Sequence, residues 1–162
     1  MRSFLLSLGL VLAALVATPS PAHAAPLEIN YAGHDFQWWI DTDMTIDTSW
    51  AHGSFDDDGD RFYLKDKDND GMRVAIHWKL QDGSRRGLCI VKGGQFAEGV
   101  CNKNLPENVT VLMRLGRCDG DVKNCETLDG YRDWTAYKST STSKLGARVD
   151  SGSATGRRAS SR

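Results

Sequence analysis

Three aspartates at alternate positions are the residues of this chain whose spacing most directly suggests chemistry. Asp66, Asp68 and Asp70 precede Gly71, which matches the first half of an EF-hand calcium loop. Carboxylate oxygens arranged in this way are ligands for a hard cation such as Ca²⁺. The twelfth position of such a loop requires a bidentate Glu, and this chain has His77 there. The pattern is therefore compatible with two interpretations, a structural calcium site and an aspartate-capped turn.

The residues around the aspartates favour the turn. Asn69-Asp70-Gly71 is a hairpin signal, since Gly accepts a positive φ and Asp side chains accept backbone N–H groups. Lys65 and Lys67 interleave with the acids and partly neutralise them. A second acidic loop, Asp56-Asp57-Asp58 with Asp60, lies beyond a predicted strand whose five residues would span roughly 16 Å. We therefore predict no shared acidic site and keep structural calcium as the alternative, with no other cofactor.

Aromatic residues are the second candidate for chemistry, because five Trp occur in 162 residues. Trp38 and Trp39 are adjacent, and neighbours in a strand point to opposite faces, so one of them is expected to be exposed. Trp50 and Phe55 lie in the same segment, and residues 25–60 contain nine Asp or Glu and no Lys or Arg. Exposed aromatic rings beside carboxylates suit stacking on sugars or a protein–protein hot spot. These four residues are the predicted binding residues.

No catalytic arrangement is recognisable in the sequence. His34, His52 and His77 are scattered, and Ser54 lacks the G-x-S-x-G context of a nucleophile elbow. Carboxylates are plentiful, but nothing selects a pair of them for glycoside hydrolysis. The acidic body also argues against nucleic acid as a partner, because phosphate binding needs a basic surface. We therefore predict a protein that is not an enzyme.

The N-terminal residues have the features of an export signal. Arg2 supplies a positive charge, Phe4 to Val16 is almost wholly apolar, and Ala22-His23-Ala24 fits a cleavage site. The apolar run is shorter than the roughly 20 residues that cross a bilayer. We predict cleavage after Ala24, no membrane span afterwards, and a secreted, extracellular protein.

Four cysteines follow, and an even number in an exported chain predicts disulfides. Three connectivities are open. We favour Cys89–Cys101 with Cys118–Cys125, because each pair brackets a stretch rich in turn residues. A zinc site is the weaker alternative, since no C-x-x-C pair occurs in the sequence.

The pattern of apolar residues indicates an all-β domain. Residues 61–65, 73–80 and 109–116 alternate between apolar and polar side chains, and Asp-Gly or Gly-Gly pairs punctuate the chain. Shorter candidate strands cover 27–31, 36–40, 44–50, 87–91 and 133–137. We predict an antiparallel β-sandwich or jelly roll of about eight strands over residues 25–137. Residues 138–162 are rich in Ser, Thr and Gly with six Lys or Arg against one Asp, and are predicted to be a disordered basic tail.

A resemblance to known proteins rests on residues 51–80. The runs Ala-His-Gly-Ser-Phe, Gly-Asp-Arg-Phe-Tyr-Leu and Asp-Gly-Met-Arg-Val-Ala-Ile-His-Trp resemble a broad group of small secreted actinobacterial proteins of uncharacterised function. The likeness extends more loosely to Trp134. It implies a signal peptide followed by one disulfide-bearing β-sandwich, and it implies no particular activity.

These observations predict a secreted, non-enzymatic binding protein. The favoured version is an accessory or adaptor subunit that contacts another extracellular protein through the segment from His34 to Phe55. The first alternative is a carbohydrate-binding module, in which Trp38 or Trp39 stacks on a glycan with Trp50 and calcium shapes a loop. The second alternative is a small proteinaceous inhibitor of a hydrolase, presenting the loop between Cys118 and Cys125.

Overall fold

The computed structural model of the protein describes residues 24–34 and 42–142. Residues 1–23, the candidate strand 36–40 and residues 143–162 of the predicted tail lie outside that description. The described ranges contain ten strands and two short 3₁₀ segments. The strands are β1 Leu27–Tyr31, β2 Met44–Asp47, β3 Ala51–Asp56, β4 Arg61–Asp66, β5 Met72–Leu80, β6 Arg86–Ile90, β7 Glu98–Asn102, β8 Thr110–Asp119, β9 Tyr131–Arg132 and β10 Lys138–Ser141. The 3₁₀ segments are Val122–Glu126 and Leu128–Gly130.

The strands form two sheets, which confirms the predicted all-β sandwich. The larger sheet has the order β1-β6-β5-β8-β10, with β9 paired to the end of β8. The smaller sheet has the order β2-β3-β4-β7. All of these pairings are antiparallel except that of β1 with β6, which is parallel. No helix within residues 24–34 and 42–142 has the length and apolar character needed to span a membrane.

The main core lies between the two sheets and is centred on β5. Val74, Ile76, Trp78 and Leu80 are buried there, as the alternation along this strand predicts. The ring of Trp78 stacks on Phe62 from the opposite sheet, with ring centroids 5.6 Å apart. This packing requires β4 and β5, which carry Phe62 and Trp78, to lie in different layers.

A second apolar cluster covers the outer face of the larger sheet. Ala75 on β5 and Ile90 on β6 lie beneath Cys125 and Tyr131, which belong to the segment that follows β8. Strand β5 is therefore buried on both faces. Alternation of apolar and polar residues identifies only one buried face, so it could not reveal this covering segment.

Three parts of the chain differ from what the sequence predicts. The predicted hairpin at Asn69-Asp70-Gly71 is wrong, because β4 belongs to the smaller sheet and β5 to the larger one. Gly71 does adopt a positive φ of 75°, so a turn is present, but it carries the chain from one layer to the other. Lys138–Ser141, which composition assigned to the tail, form β10 against β8. The candidate strand 133–137 is instead the connection that leads into β10, after the two-residue strand β9.

Both favoured disulfides are confirmed. Cys89 bonds to Cys101 and thereby joins β6 of the larger sheet to β7 of the smaller sheet. Cys118 bonds to Cys125 and holds the first 3₁₀ segment against the end of β8. The first bridge therefore links the two layers, while the second fixes the covering segment.

Candidate binding surface at one end of the sandwich

Asp66, the first of the three alternating aspartates, is buried at the end of β4. Its residue surface is 1% exposed, and its Oδ1 atom accepts the N–H of Asp68 at 3.0 Å. Its Oδ2 atom is buried without a hydrogen-bond partner. Burial, with smaller contributions from the charges of Asp70 and Asp68, raises the pKa of the Asp66 carboxyl to about 6. Of the three alternating aspartates, Asp66 therefore lies in the interior, whereas Asp68 and Asp70 lie at the surface.

The two surface aspartates of this run are paired with an arginine from β8. Arg117 donates to Asp70 Oδ2 at 2.8 Å and lies 3.8 Å from Asp68 Oδ2. The same guanidinium bonds Asp133 at 2.5 Å. The other carboxylate oxygen of Asp70 accepts the N–H of Met72 at 2.8 Å, which is an aspartate-capped turn. Arg117 therefore supplies to these carboxylates the positive charge that the calcium interpretation assigns to a metal ion.

A different set of carboxylates has the geometry of a metal site. The ligand oxygens of Asp43, Asp56 and Asp57 lie within 4.8 Å of one another, at the opposite end of β4 from Asp66. Burial and the charges of Asp57 and Asp56 raise the pKa of Asp43. Asp57 donates its N–H to Asp43 Oδ2 at 2.8 Å, and Arg61 donates to Asp56 Oδ2 at 2.7 Å. The carboxylates of Asp43 and Asp56 thus accept hydrogen bonds from within the protein, and the sequence did not single out Asp43.

The predicted aromatic binding residues have different outcomes. Trp38 and Trp39 lie outside the described residues. The prediction for Phe55 is wrong, because its side chain is fully buried in the core with its ring centroid 4.7 Å from that of Phe62. Trp50 is half-buried at the start of β3, with its ring 5.1 Å from the guanidinium carbon of Arg117.

The structure instead exposes an aromatic residue that the sequence did not single out. Phe96 is 63% exposed, and it is the one large apolar side chain in the described ranges that is exposed to solvent. Its backbone φ is +63°, in the left-handed region that a phenylalanine rarely adopts. The sequence offers only a weak signal that Phe96 is exposed: it lies close to Gly93-Gly94, in the loop between Cys89 and Cys101.

The loop that carries Phe96 is held on several sides. Phe96 donates its N–H to Asp66 O at 3.0 Å, and Asp66 donates its own N–H to Ala97 O at 2.9 Å. Arg73 reaches from β5 to the carbonyl oxygen of Gly93 at 3.3 Å. The Cys89–Cys101 disulfide closes the base of the loop. Because these contacts over-determine the backbone, the loop can hold the unfavourable φ of Phe96.

Trp50 and Phe96 lie at the same end of the sandwich. Lys67 donates its N–H to Trp50 O at 2.9 Å, and the preceding residue, Asp66, accepts the N–H of Phe96. Strand β4 lies between β3, which follows Trp50, and β7, which follows Phe96, so the two attachment points are about 10 Å apart across two strand spacings. Arg117 and Asp70 belong to the same end. We define Trp50, Asp70, Phe96 and Arg117 as the loop-end surface.

The histidines of the described chain do not assemble a recognisable catalytic site. His52 Nδ1 lies 3.0 Å from an Asp47 carboxylate oxygen at the surface. His77 is 3% exposed, and burial together with the charges of Arg114, Lys79 and Arg86 lowers its pKa to about 4. Its basicity is therefore far below that of an effective general base near neutral pH.

Comparisons with protein-family models, with curated proteins and with solved structures find no match for this chain.

Proposed function

We propose that this chain is a secreted, non-enzymatic binding protein that contacts another extracellular protein through the loop-end surface. The observation that carries the proposal is Phe96, an apolar side chain 63% exposed on a backbone with positive φ. An exposed aromatic ring on a strained backbone does not stabilise the isolated domain, because the ring buries little surface and the backbone conformation is unfavourable. Such a residue is therefore better explained by a contact with a second molecule.

The chemistry around Phe96 supports a protein as the partner. Protein–protein hot spots are rich in Trp, Tyr and Arg, and Trp50 and Arg117 flank the same end of the sandwich. The loop is framed by the Cys89–Cys101 disulfide and by backbone bonds to Asp66. A framed loop loses little conformational entropy when it binds, which favours affinity.

Secretion is part of the proposal and is supported by two independent features. Arg2 and the apolar run from Phe4 to Val16 precede Ala22-His23-Ala24, which fits a cleavage site. The four cysteines are joined in two disulfides, which persist in oxidising compartments. An adaptor or accessory subunit of an extracellular assembly needs both export and a stable framework of this kind.

The alternatives make different use of the same features. An inhibitor of a hydrolase is the case in which the partner is an enzyme, and Phe96 then favours the Cys89–Cys101 loop over the Cys118–Cys125 loop as the contact element. In a carbohydrate-binding module the stacking residues would be Trp38 or Trp39 together with Trp50. One face of Trp50 is already turned to Arg117, which leaves it less available for a sugar.

Photo-crosslinking from position 96 tests the proposal. The mature protein with a benzophenone amino acid at residue 96 is incubated in culture medium of the source organism, irradiated and analysed for discrete protein adducts. We expect one dominant adduct, and competition by unlabelled wild type should remove it. Phe96→Ser should compete at least tenfold less well, while Gln95→Ala, an exposed change in the same loop, should compete like wild type.

Equal competition by Phe96→Ser and wild type would contradict the loop-end surface. Retention of the protein on a glycan column, with loss of retention in Trp50→Ala, would favour the carbohydrate-binding alternative. Inhibition of a secreted hydrolase by wild type and not by Phe96→Ser would identify the partner as an enzyme.

A further inference from the structure

Four side chains alternate between aromatic and cationic on the outer face of the larger sheet. The guanidinium carbon of Arg114 lies 4.1 Å from the ring centroid of Trp134 and 4.7 Å from that of Tyr137. The Nζ atom of Lys79 lies 4.7 Å from the ring centroid of Tyr137. We call Trp134, Arg114, Tyr137 and Lys79 the outer ladder. Both aromatic rings pack against the Arg114 guanidinium, which restricts the conformations of this side chain.

The sheet itself positions the ladder. Lys79 lies on β5, Arg114 lies opposite His77 in the β5–β8 pairing, and the rings come from the segment after β9. Gly116, on the same face of β8 as Arg114, leaves the space for Trp134, because a Cβ atom at that position would lie 2.4 Å from the ring.

His77 holds the Arg114 side chain from below. Arg114 Nε donates to His77 Nδ1 at 3.3 Å, and the Tyr137 hydroxyl lies 2.7 Å from the same nitrogen. Because a guanidinium N–H can only donate, Nδ1 accepts and the imidazole proton resides on Nε2. His77 Nε2 is buried without a partner, so this site contains more hydrogen-bond donors than acceptors.

Arg114 also differs from most other arginines in the described ranges. Arg61, Arg85, Arg117 and Arg132 each form an ion pair with a carboxylate. Arg114 forms no such pair with a carboxylate of residues 24–34 or 42–142, and the same holds for Lys79 and Arg86.

Arg86 adds a third positive charge to this part of the sheet. It lies opposite Lys79 in the β5–β6 pairing, and its Nε donates to Ala25 O at 2.7 Å. Three cations are thus grouped on one face without a carboxylate counter-charge from the described chain. Grouped positive charges of this kind attract and retain an anion.

We propose that the outer ladder binds a tetrahedral oxyanion, either free or carried as an ester on a glycan. Arg114 contacts the oxyanion through the terminal nitrogens of its guanidinium, and Lys79 and Arg86 flank it. A planar guanidinium fork matches two oxygens of such a group at once, and stacking between aromatic rings keeps the fork in place before the ligand arrives. This site lies on a sheet face, apart from the loop-end surface, so its existence does not depend on the proposed protein partner.

The test follows the Nε–H resonance of Arg114 by NMR while inorganic sulfate is added to the mature protein at constant ionic strength. We expect a saturable shift in the millimolar range, with chloride at the same ionic strength giving none. The Nε–H resonance of Arg73, which donates to backbone carbonyl oxygens, serves as the internal control and should not move.

Two substitutions assign the site. Arg114→Lys keeps the charge and removes the fork, and we expect affinity for sulfate to fall at least tenfold. Lys79→Gln should lower affinity about three- to tenfold, whereas Lys123→Gln, an exposed change elsewhere, should leave it unchanged. If Arg114→Lys does not fold, Lys79→Gln and the wild-type titration still decide the matter.

Two results would overturn the proposal. One is an Arg114 shift that grows linearly with salt and is reproduced by chloride, which indicates an adventitious ion only. The other is an unchanged affinity in Lys79→Gln. Retention of wild type on sulfated dextran but not on unsubstituted dextran, and its loss in Lys79→Gln, would identify a glycan ester as the carrier. Binding of inorganic sulfate without such retention would identify the free anion as the ligand.

Discussion

Phe96 donates its backbone N–H to the backbone carbonyl oxygen of Asp66 at 3.0 Å, so the most exposed large apolar residue of the described ranges is tied to a residue that is only 1% exposed. Asp66 in turn donates its own backbone N–H to Ala97 O. The end of β4 therefore supports the proposed contact residue through backbone groups of Asp66, whose ionisable carboxyl group is buried at the same position. The charge of Asp66 and the stability of this end of the sandwich must be linked.

Asp66 should make the protein less stable as pH rises from about 4 to 7. Its folded-state pKa is about 6 because burial disfavours the charged carboxylate, whereas the ordinary value is 3.8. The stabilising contribution is complete below the unfolded-state pKa and is lost as pH rises through the folded-state pKa. Asp66→Asn should therefore raise the free energy of unfolding at pH 7 by about 1 to 3 kcal/mol and should change it little at pH 4.

Urea unfolding of both proteins between pH 4 and 7 measures this difference. The comparison with the variant is essential, because His77 has a lowered pKa and contributes stability that is lost as pH falls below about 6.5. Asp129→Asn, an exposed change, is the control and should follow wild type at every pH. A constant difference between Asp66→Asn and wild type across this range would refute the assigned pKa.

The backbone of Phe96 should be a source of instability. Glycine adopts a φ of +63° without the steric cost that phenylalanine bears, and the exposed ring contributes little burial. We expect Phe96→Gly to raise the free energy of unfolding by about 0.5 to 1 kcal/mol, while Phe96→Ala leaves it near wild type. Urea unfolding at pH 7 provides both values. If the stabilised Phe96→Gly variant no longer binds the partner, the strained Phe96 is retained for binding at a cost in stability.

The main strands could be predicted from the sequence because local rules determine them. The alternation over residues 73–80 needs no information from distant parts of the chain, and the turn residues between Cys89 and Cys101 favoured one of the three possible disulfide connectivities. The sheet to which a strand belongs could not be predicted from such local rules. Asn69-Asp70-Gly71 has the chemistry of a hairpin, but Phe62 and Trp78 bury one another only if β4 and β5 lie in opposite sheets. Burial between the layers outweighed the local turn preference.

The binding residues were harder to predict, because exposure depends on contacts far away in the sequence. Phe55 was predicted as a binding residue from its acidic neighbours, yet it faces the core beside Phe62. Phe96 has the same side chain and is exposed, because its backbone is tied to Asp66, thirty positions earlier. Residue type and local charge could not distinguish the two phenylalanines. The placement of Arg117 among the aspartates likewise depends on the pairing of β8 with β5.

Arg117 should determine whether the aspartate run responds to calcium. In wild type its guanidinium bonds Asp70 and Asp133, so we expect the melting temperature to be unchanged by millimolar Ca²⁺ or by EDTA. Arg117→Gln leaves Asp68, Asp70 and Asp133 without this counter-charge. We expect it to lower the free energy of unfolding by about 1 to 2 kcal/mol, and to make the melting temperature rise with Ca²⁺.

Arg132→Gln is the matched control for this experiment, because Arg132 forms an exposed ion pair with Asp119 and should contribute less than about 1 kcal/mol. A wild-type protein that is stabilised by Ca²⁺ and destabilised by EDTA would favour the calcium interpretation of Asp66, Asp68 and Asp70 instead.

Two truncations should separate the end of the fold from the tail. Thr142 is buried, donates its N–H to Val109 O at 2.9 Å and accepts the N–H of Asn108 at 3.1 Å. Its hydroxyl oxygen accepts the N–H of Val109 at 3.1 Å and lies 3.0 Å from Pro106 O. A chain ending at Tyr137 lacks β10 and all of these bonds, and it exposes the edge of β8 to water.

We expect the chain that ends at Tyr137 to lose about 2 to 4 kcal/mol of unfolding free energy, since several buried hydrogen bonds disappear together. The chain that ends at residue 143 should unfold like the full-length protein, because the composition of the remaining residues offers little to bury. Thermal melts and urea titrations of the two truncations measure both effects. Equal stability of the two truncated chains would mean that β10 contributes nothing to the sandwich. A lower free energy of unfolding for the chain that ends at residue 143 than for the full-length protein would instead assign packed structure to the basic residues beyond position 143.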